Sequence, residues 1–215
     1  MKKIILSTIL VGAFLVTGCS NNKPVYTVTK QQYDKLCYYE AYQPNLRSLN
    51  FTVSYSETLN DTTYQYVTKY ANGKIMATHG EEYGDFYASY KEGTYNAENK
   101  TWSYDYYYEE DGQWKITALE DESMPDDVYL PDIGYMVSYE EMAFNEETNC
   151  YEQIAEDKVL NQYYHYYEIK VKFLNGNIVY ASWKSRSNSA PEKVYSHVVE
   201  ISDYGSTTVN LPNVQ

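Results

Sequence analysis

Positive charge is scarce in this chain. Lysine and arginine together number 17 against 30 aspartates and glutamates, for a formal charge of −13 at pH 7. A nucleic-acid reader needs a basic stripe to neutralise phosphates; none is present, so no nucleic-acid partner is expected. The same imbalance disfavours direct adhesion of the folded surface to anionic headgroups. Histidine is scarcer still. His79, His165 and His197 are scattered, with no His-Glu-x-x-His or other metal-ligand spacing. Also missing are a Gly-x-Ser-x-Gly elbow, a phosphate-cradling glycine loop and any period of 20 to 50 residues. A Ser-x-x-Lys does occur at Ser20 to Lys23, in the polar stretch that follows an apolar leader. Acidic clusters at Asp126-Asp127, Asp132 and Glu140-Glu141 lack EF-hand spacing. The expectation is therefore no catalytic residue, no metal, no cofactor and no enzyme.

Cysteine is limited to Cys19, Cys37 and Cys150. The first follows a distinctive leader. Lys2 and Lys3 give a basic start, Ile4 to Val16 form a short apolar run, and Val16-Thr17-Gly18-Cys19 ends it with small residues before a cysteine. That order is a secretory signal, and its apolar run is shorter than the roughly 20 residues that span a bilayer. The tetrapeptide resembles the lipobox of bacterial lipoproteins. The resemblance implies cleavage before Cys19, diacylglycerol on its thiol and a cell-membrane anchor on the extracytoplasmic face. Residues 1–18 are then the signal peptide, 19–28 a lipidated tether and 29–215 a single domain, long enough for one real core. Cys37 and Cys150 remain as a pair in an oxidisable compartment, either bridged or standing as two independent buried thiols.

Tyrosine is abundant where other aromatics are not: 28 Tyr stand beside 5 Phe and 3 Trp. Its ring buries, its hydroxyl stays wet, and it favours strands. The pattern agrees. Thr29 to Gln32 spell a capping box, followed by Tyr33, Leu36, Cys37 and Ala41 on one helical face until Pro44. From Asn50 the period becomes two. Asn72-Gly73, Asp111-Gly112 and Asn175-Gly176 separate alternating runs and predict tight hairpins. A further hairpin is expected around Asn145 to Thr148. One strand face is read as Tyr163, His165, Tyr167, Ile169, Val171 and Phe173, and another as Trp102, Tyr104, Tyr106 and Tyr108.

The expected fold is α+β: a curved antiparallel sheet of about 8–10 strands, a half-barrel, with an N-terminal helix on its concave side. Val28-Thr29, Asn50-Phe51-Thr52-Val53, Val171-Lys172-Phe173 with Asn175-Gly176 and Ile178, and Ile201-Ser202-Asp203-Tyr204-Gly205 with Thr208-Val209 and Leu211-Pro212 carry a wider likeness. Through them the chain resembles small lipoproteins of Gram-positive gut bacteria, and through these the half-barrel superfamily of Lol-type carriers and mycobacterial lipid-binding lipoproteins. The resemblance implies an apolar cavity that holds a lipid in some members. Tyrosine on the inner face suits an amphipathic or sugar-like ligand better than bare acyl chains. The functional expectation is a lipid-anchored, non-catalytic binding module for an amphipathic, lipid or carbohydrate ligand. Its candidate face is Trp102, Tyr104, Tyr106, Tyr108, Tyr163, His165 and Tyr167. The alternative is a structural lipoprotein that contacts a cell-envelope protein. Oligomeric state leaves no mark in the sequence.

Overall fold

The computed structural model of the chain describes residues 23–38, 47–79, 85–123, 132–154, 158–159 and 164–214. The leader, Cys19 and Tyr163 lie outside the described residues.

Helix α1 (Lys30–Cys37) starts at its capping box. The Gln32 backbone N–H donates to Thr29 Oγ1 at 3.3 Å, and the Thr29 N–H donates to Gln32 Oε1 at 2.8 Å. Two of the orphan donors of the first turn are thus satisfied reciprocally. The helix ends at Cys37, where Tyr38 is already extended; Ala41 and Pro44 lie outside the described residues. Tyr33 and Cys37 are its buried positions.

Twelve strands follow among the described residues: β1 (Asn50–Leu59), β2 (Thr62–Ala71), β3 (Lys74–His79), β4 (Asp85–Asn96), β5 (Thr101–Glu110), β6 (Gln113–Glu122), β7 (Met142–Asn145), β8 (Cys150–Gln153), β9 (Lys158–Val159), β10 (Tyr164–Leu174), β11 (Asn177–Ser187) and β12 (Ala190–Ser202). This exceeds the expected 8–10, partly because a two-residue strand such as β9 has no periodicity to read. Between β6 and β7 lies the short helix α2 (Ile133–Met136). The three Asn-Gly and Asp-Gly dipeptides all turn as expected. Both residues of each have positive φ, between 50° and 82°, and the flanking pairs Ala71–Lys74, Glu110–Gln113 and Leu174–Asn177 close two-residue loops. Left-handed geometry at both central positions is what matches a hairpin to strand twist.

The strands form one antiparallel sheet in the order β6-β5-β4-β3-β2-β1-β12-β11-β10-β8-β7, with β9 beside β10. The sheet is open and curved. Two meanders meet at its centre, where β1 pairs with β12 from Thr52–Ser202 to Leu59–Tyr195. One face is apolar, built from alternate residues such as Phe51, Val53, Val171, Phe173, Ala181 and Val199, each at most 5% exposed. Tyr33 of helix α1 reaches this face: its ring lies 6.0 Å from Phe173 and stands edge-on to Tyr139 at 5.6 Å. The Tyr33 hydroxyl donates to the Val137 carbonyl at 3.0 Å, just beyond α2. Gly134 of α2 admits the Tyr38 ring so closely that a Cβ there would meet it at 2.6 Å.

The segment before α1 is fastened to the sheet. The Asn175 N–H donates to the Val25 carbonyl at 2.8 Å, and the Val25 N–H donates to Asn175 Oδ1 at 3.1 Å. Val28 is buried, and its N–H and C=O both bond the Tyr151 hydroxyl at 3.0 Å. The end of the expected tether is therefore docked from Val25 onward.

One expectation is reversed by a bulge. Glu168 has a φ of 52°, and the β10–β11 register slips between Tyr167 and Lys170. An extra residue in one strand exchanges the faces beyond it. Tyr164 and Tyr166, opposite Ser187 and Ser185, therefore share the face of Ile169, Val171 and Phe173. His165 and Tyr167 point to the other face, where Arg186 lies over the Tyr167 ring at 5.5 Å.

Candidate functional site

The expected ligand face does not form as a unit. Trp102 and Tyr104 are core residues, 1% and 5% exposed. The Trp102 ring packs 4.5 Å from Tyr95. Tyr106 and Tyr108 are half-buried and stack on each other at 6.0 Å. His165 and Tyr167 sit across the sheet from them in face, as the bulge dictates. Cys37 and Cys150 are both free and buried rather than bridged. Cys37 ends α1 within the core, where burial pushes its thiol well above the usual range. Cys150 opens β8 at the hairpin, its sulfur 3.6 Å from the Thr148 carbonyl.

The acidic residues considered for metal have other work. Asp132 accepts from the Tyr135 N–H at the start of α2. Glu140 pairs with Lys30 at 2.8 Å, and Glu141 accepts from the N–H and hydroxyl of Ser138. Asp126 and Asp127 lie outside the described residues.

A different site is present. A cleft of about 440 Å³ opens between α2 and strands β10, β11, β12 and β1. Its lining includes Tyr135, Tyr164, Tyr166, Trp183, Tyr195 and His197, with Ser185, Ser187, Glu57, Asp132 and Met136. Tyr135 and Tyr164 are 54% and 46% exposed, so two rings stand open at its mouth. At its floor the sheet register lines up rings from strands far apart in sequence. Trp183 stacks on His197 at 5.0 Å and 13°, His197 on Tyr55 at 6.0 Å and 9°, and Tyr55 on Tyr66 at 5.5 Å and 28°. Cross-strand pairs produce this row: Trp183 lies opposite His197, and Tyr55 opposite Tyr66.

Hydrogen bonds give the floor a fixed polarity. Tyr55 donates its hydroxyl proton to Glu57 Oε2 at 3.1 Å, because a carboxylate has no proton to give. The same hydroxyl lies 2.8 Å from His197 Nδ1. With its single proton committed, it accepts there, so Nδ1 carries the hydrogen. In a neutral ring Nε2 is then the acceptor, and Ser185 donates to it at 2.7 Å. Burial lowers the His197 pKa to about 4, which keeps the ring neutral near pH 7. The relay therefore runs Ser185 to His197 to Tyr55 to Glu57, and it leaves the Ser185 oxygen facing the cleft as an acceptor.

The order serine, histidine, acid is that of nucleophilic catalysts, yet the parts differ. A tyrosine hydroxyl stands between base and carboxylate, where direct Nδ1 to Glu57 contact is 3.5 Å. A ring with a pKa near 4 is a weak acceptor for a serine proton at neutral pH. The arrangement suits recognition better than proton transfer.

Tyr164 and Tyr166 neighbour the expected Tyr163, His165 and Tyr167 but occupy the opposite phase; Glu57, Tyr135, Trp183, Ser185, Tyr195 and His197 were not anticipated. A signal existed for three of them. Glu57, Ser185 and His197 each continue the apolar phase of their own strand at one end, after Phe51-Val53-Tyr55, after Ala181-Trp183 and before Val199-Ile201. Compared with known protein families and with curated protein sequences, the chain matches none.

Proposed function

We propose that this chain is an exported lipoprotein, anchored by diacylglycerol on Cys19 to the extracytoplasmic face of a membrane, and that its domain binds an amphipathic small molecule without transforming it. We further assign the fold to the half-barrel lipoprotein superfamily, with α1 seated on the concave side. The observation that carries the binding reading is the cleft: two open tyrosine rings at its mouth, a stacked aromatic floor, and a hydrogen-bond relay whose terminal oxygen faces inward. Ring faces bury the apolar side of a ligand while hydroxyls hold its polar side. That combination suits lipid headgroups and carbohydrates more than bare acyl chains. The leader and Cys19 support the anchor.

Two outcomes are expected. Cys19→Ser protein expressed with its leader should leave the detergent phase for the aqueous phase; continued partitioning with membranes would sink the anchor. In a panel of glycans and lipid headgroups, at least one ligand should change tyrosine and tryptophan fluorescence, and Tyr164→Ala should weaken it about tenfold, in line with roughly 1–1.5 kcal/mol for a stacked aromatic contact. Binding left unchanged by Tyr164→Ala and Tyr135→Ala would place the ligand elsewhere. No binding across the panel would leave the protein-interaction alternative.

A further inference from the structure

Charge separates one ligand class from the rest. Among the described residues that line the cleft, two carry carboxylates, Glu57 and Asp132, and none is a lysine or arginine. The histidine beside Glu57 does not neutralise it, because burial holds His197 uncharged. The remaining lining is dominated by aromatic rings, whose negative faces attract cations, and tryptophan and tyrosine rings around a carboxylate are a general receptor for alkylammonium groups. An anion would meet two like charges, with no lysine or arginine among the described lining residues, in a chain already at −13.

We infer that the cleft selects a small organic cation bearing a hydroxyl, a quaternary ammonium alcohol of the choline type. This rests on the binding reading above and narrows it. The ammonium meets the open rings of Tyr135 and Tyr164 in a cleft whose lining also includes Trp183 and Glu57. The ligand hydroxyl donates to Ser185, whose own proton is committed to His197 Nε2 and whose oxygen is thereby an acceptor. A neutral molecule of the same shape gains the ring contacts and the hydroxyl bond but not the charge.

The test compares choline with 3,3-dimethyl-1-butanol, its uncharged carbon counterpart, by calorimetric titration of the full chain. Choline should bind at least tenfold more tightly. Glu57→Gln should weaken choline at least fivefold and leave the alcohol within twofold. Phosphocholine should bind less well than choline, since its phosphate brings negative charge to Glu57 and Asp132; the reverse order would assign the natural ligand to a phosphocholine lipid headgroup and overturn the selection of a free cation. Equal affinity for choline and the butanol would overturn charge selection while leaving an amphipathic cleft intact. Binding of neither overturns the proposal, and the binding reading itself falls only if the glycan and headgroup panel also fails. Circular dichroism of Glu57→Gln, with Glu57→Asp as a second variant that keeps the charge, separates lost recognition from lost folding.

Discussion

Tyr33→Ala is expected to lower the unfolding free energy by about 4 kcal/mol, the range measured when buried large aromatics are truncated. Tyr33 is fully buried and touches three elements at once: its own helix, the sheet through Phe173, and the α2 region through the Val137 carbonyl. Truncation empties the space beneath α1 and strands a buried carbonyl. Tyr33→Phe keeps the ring and removes only the bond, so it should cost about 1–2 kcal/mol. Urea denaturation followed by tyrosine fluorescence reads both. A loss under 1 kcal/mol for the alanine variant would mean that α1 is not docked as described, since no well-packed aromatic of this size is so cheap to remove.

The second large effect is acid sensitivity at His197. Its pKa is about 4 when folded and about 6.5 in an unfolded chain. Above pH 6.5 the ring is neutral in both states and contributes no pH dependence. As pH falls below 6.5, the unfolded chain takes up a proton that the native ring refuses, so stability declines until the folded pKa near 4 is reached. The loss across that window is about 3 kcal/mol, from 1.36 kcal/mol per unit of difference. His197→Gln keeps a donor and an acceptor but does not titrate. Unfolding free energies measured at pH 7 and pH 4 should therefore converge or cross for the two proteins, the wild type losing about 3 kcal/mol more. Parallel pH profiles would show that the ring is protonated in the native state and that the assigned relay is wrong.

How far the residues announced the molecule depended on distance along the chain. Local signals read true. The Thr29 capping box, the three dipeptide turns and the Asn145–Thr148 hairpin each involve residues within a few positions of one another, and each stands where expected. Strand faces read true until a bulge intervened, because alternation assumes an unbroken pleat, and Glu168 carries no side-chain signature of its left-handed backbone. The site was the least legible part. The Ser185, His197, Tyr55 and Glu57 relay joins three strands whose register depends on pairings such as Glu57 with His197, about which no single strand carries information. Tyr33, Tyr70 and Tyr151 fill the core; which tyrosines stay open at the cleft is decided by curvature and by α2, neither of which has a periodic signal. Cysteine parity suggested a bridge, but parity says nothing of where two side chains end up.

The meeting of β1 and β12 at the middle of the sheet has a kinetic consequence. The two strands that complete the hydrogen-bonded centre are separated by nearly the whole domain, so the pairing that joins the meanders is among the last a growing chain is able to make. Until residues 190–202 emerge, the first meander presents β1 as a bare strand margin, and an exposed margin of this kind invites pairing with another molecule. Folded material should accordingly appear late and nearly all at once, with C-terminally shortened products prone to self-association while they await a partner strand that never arrives.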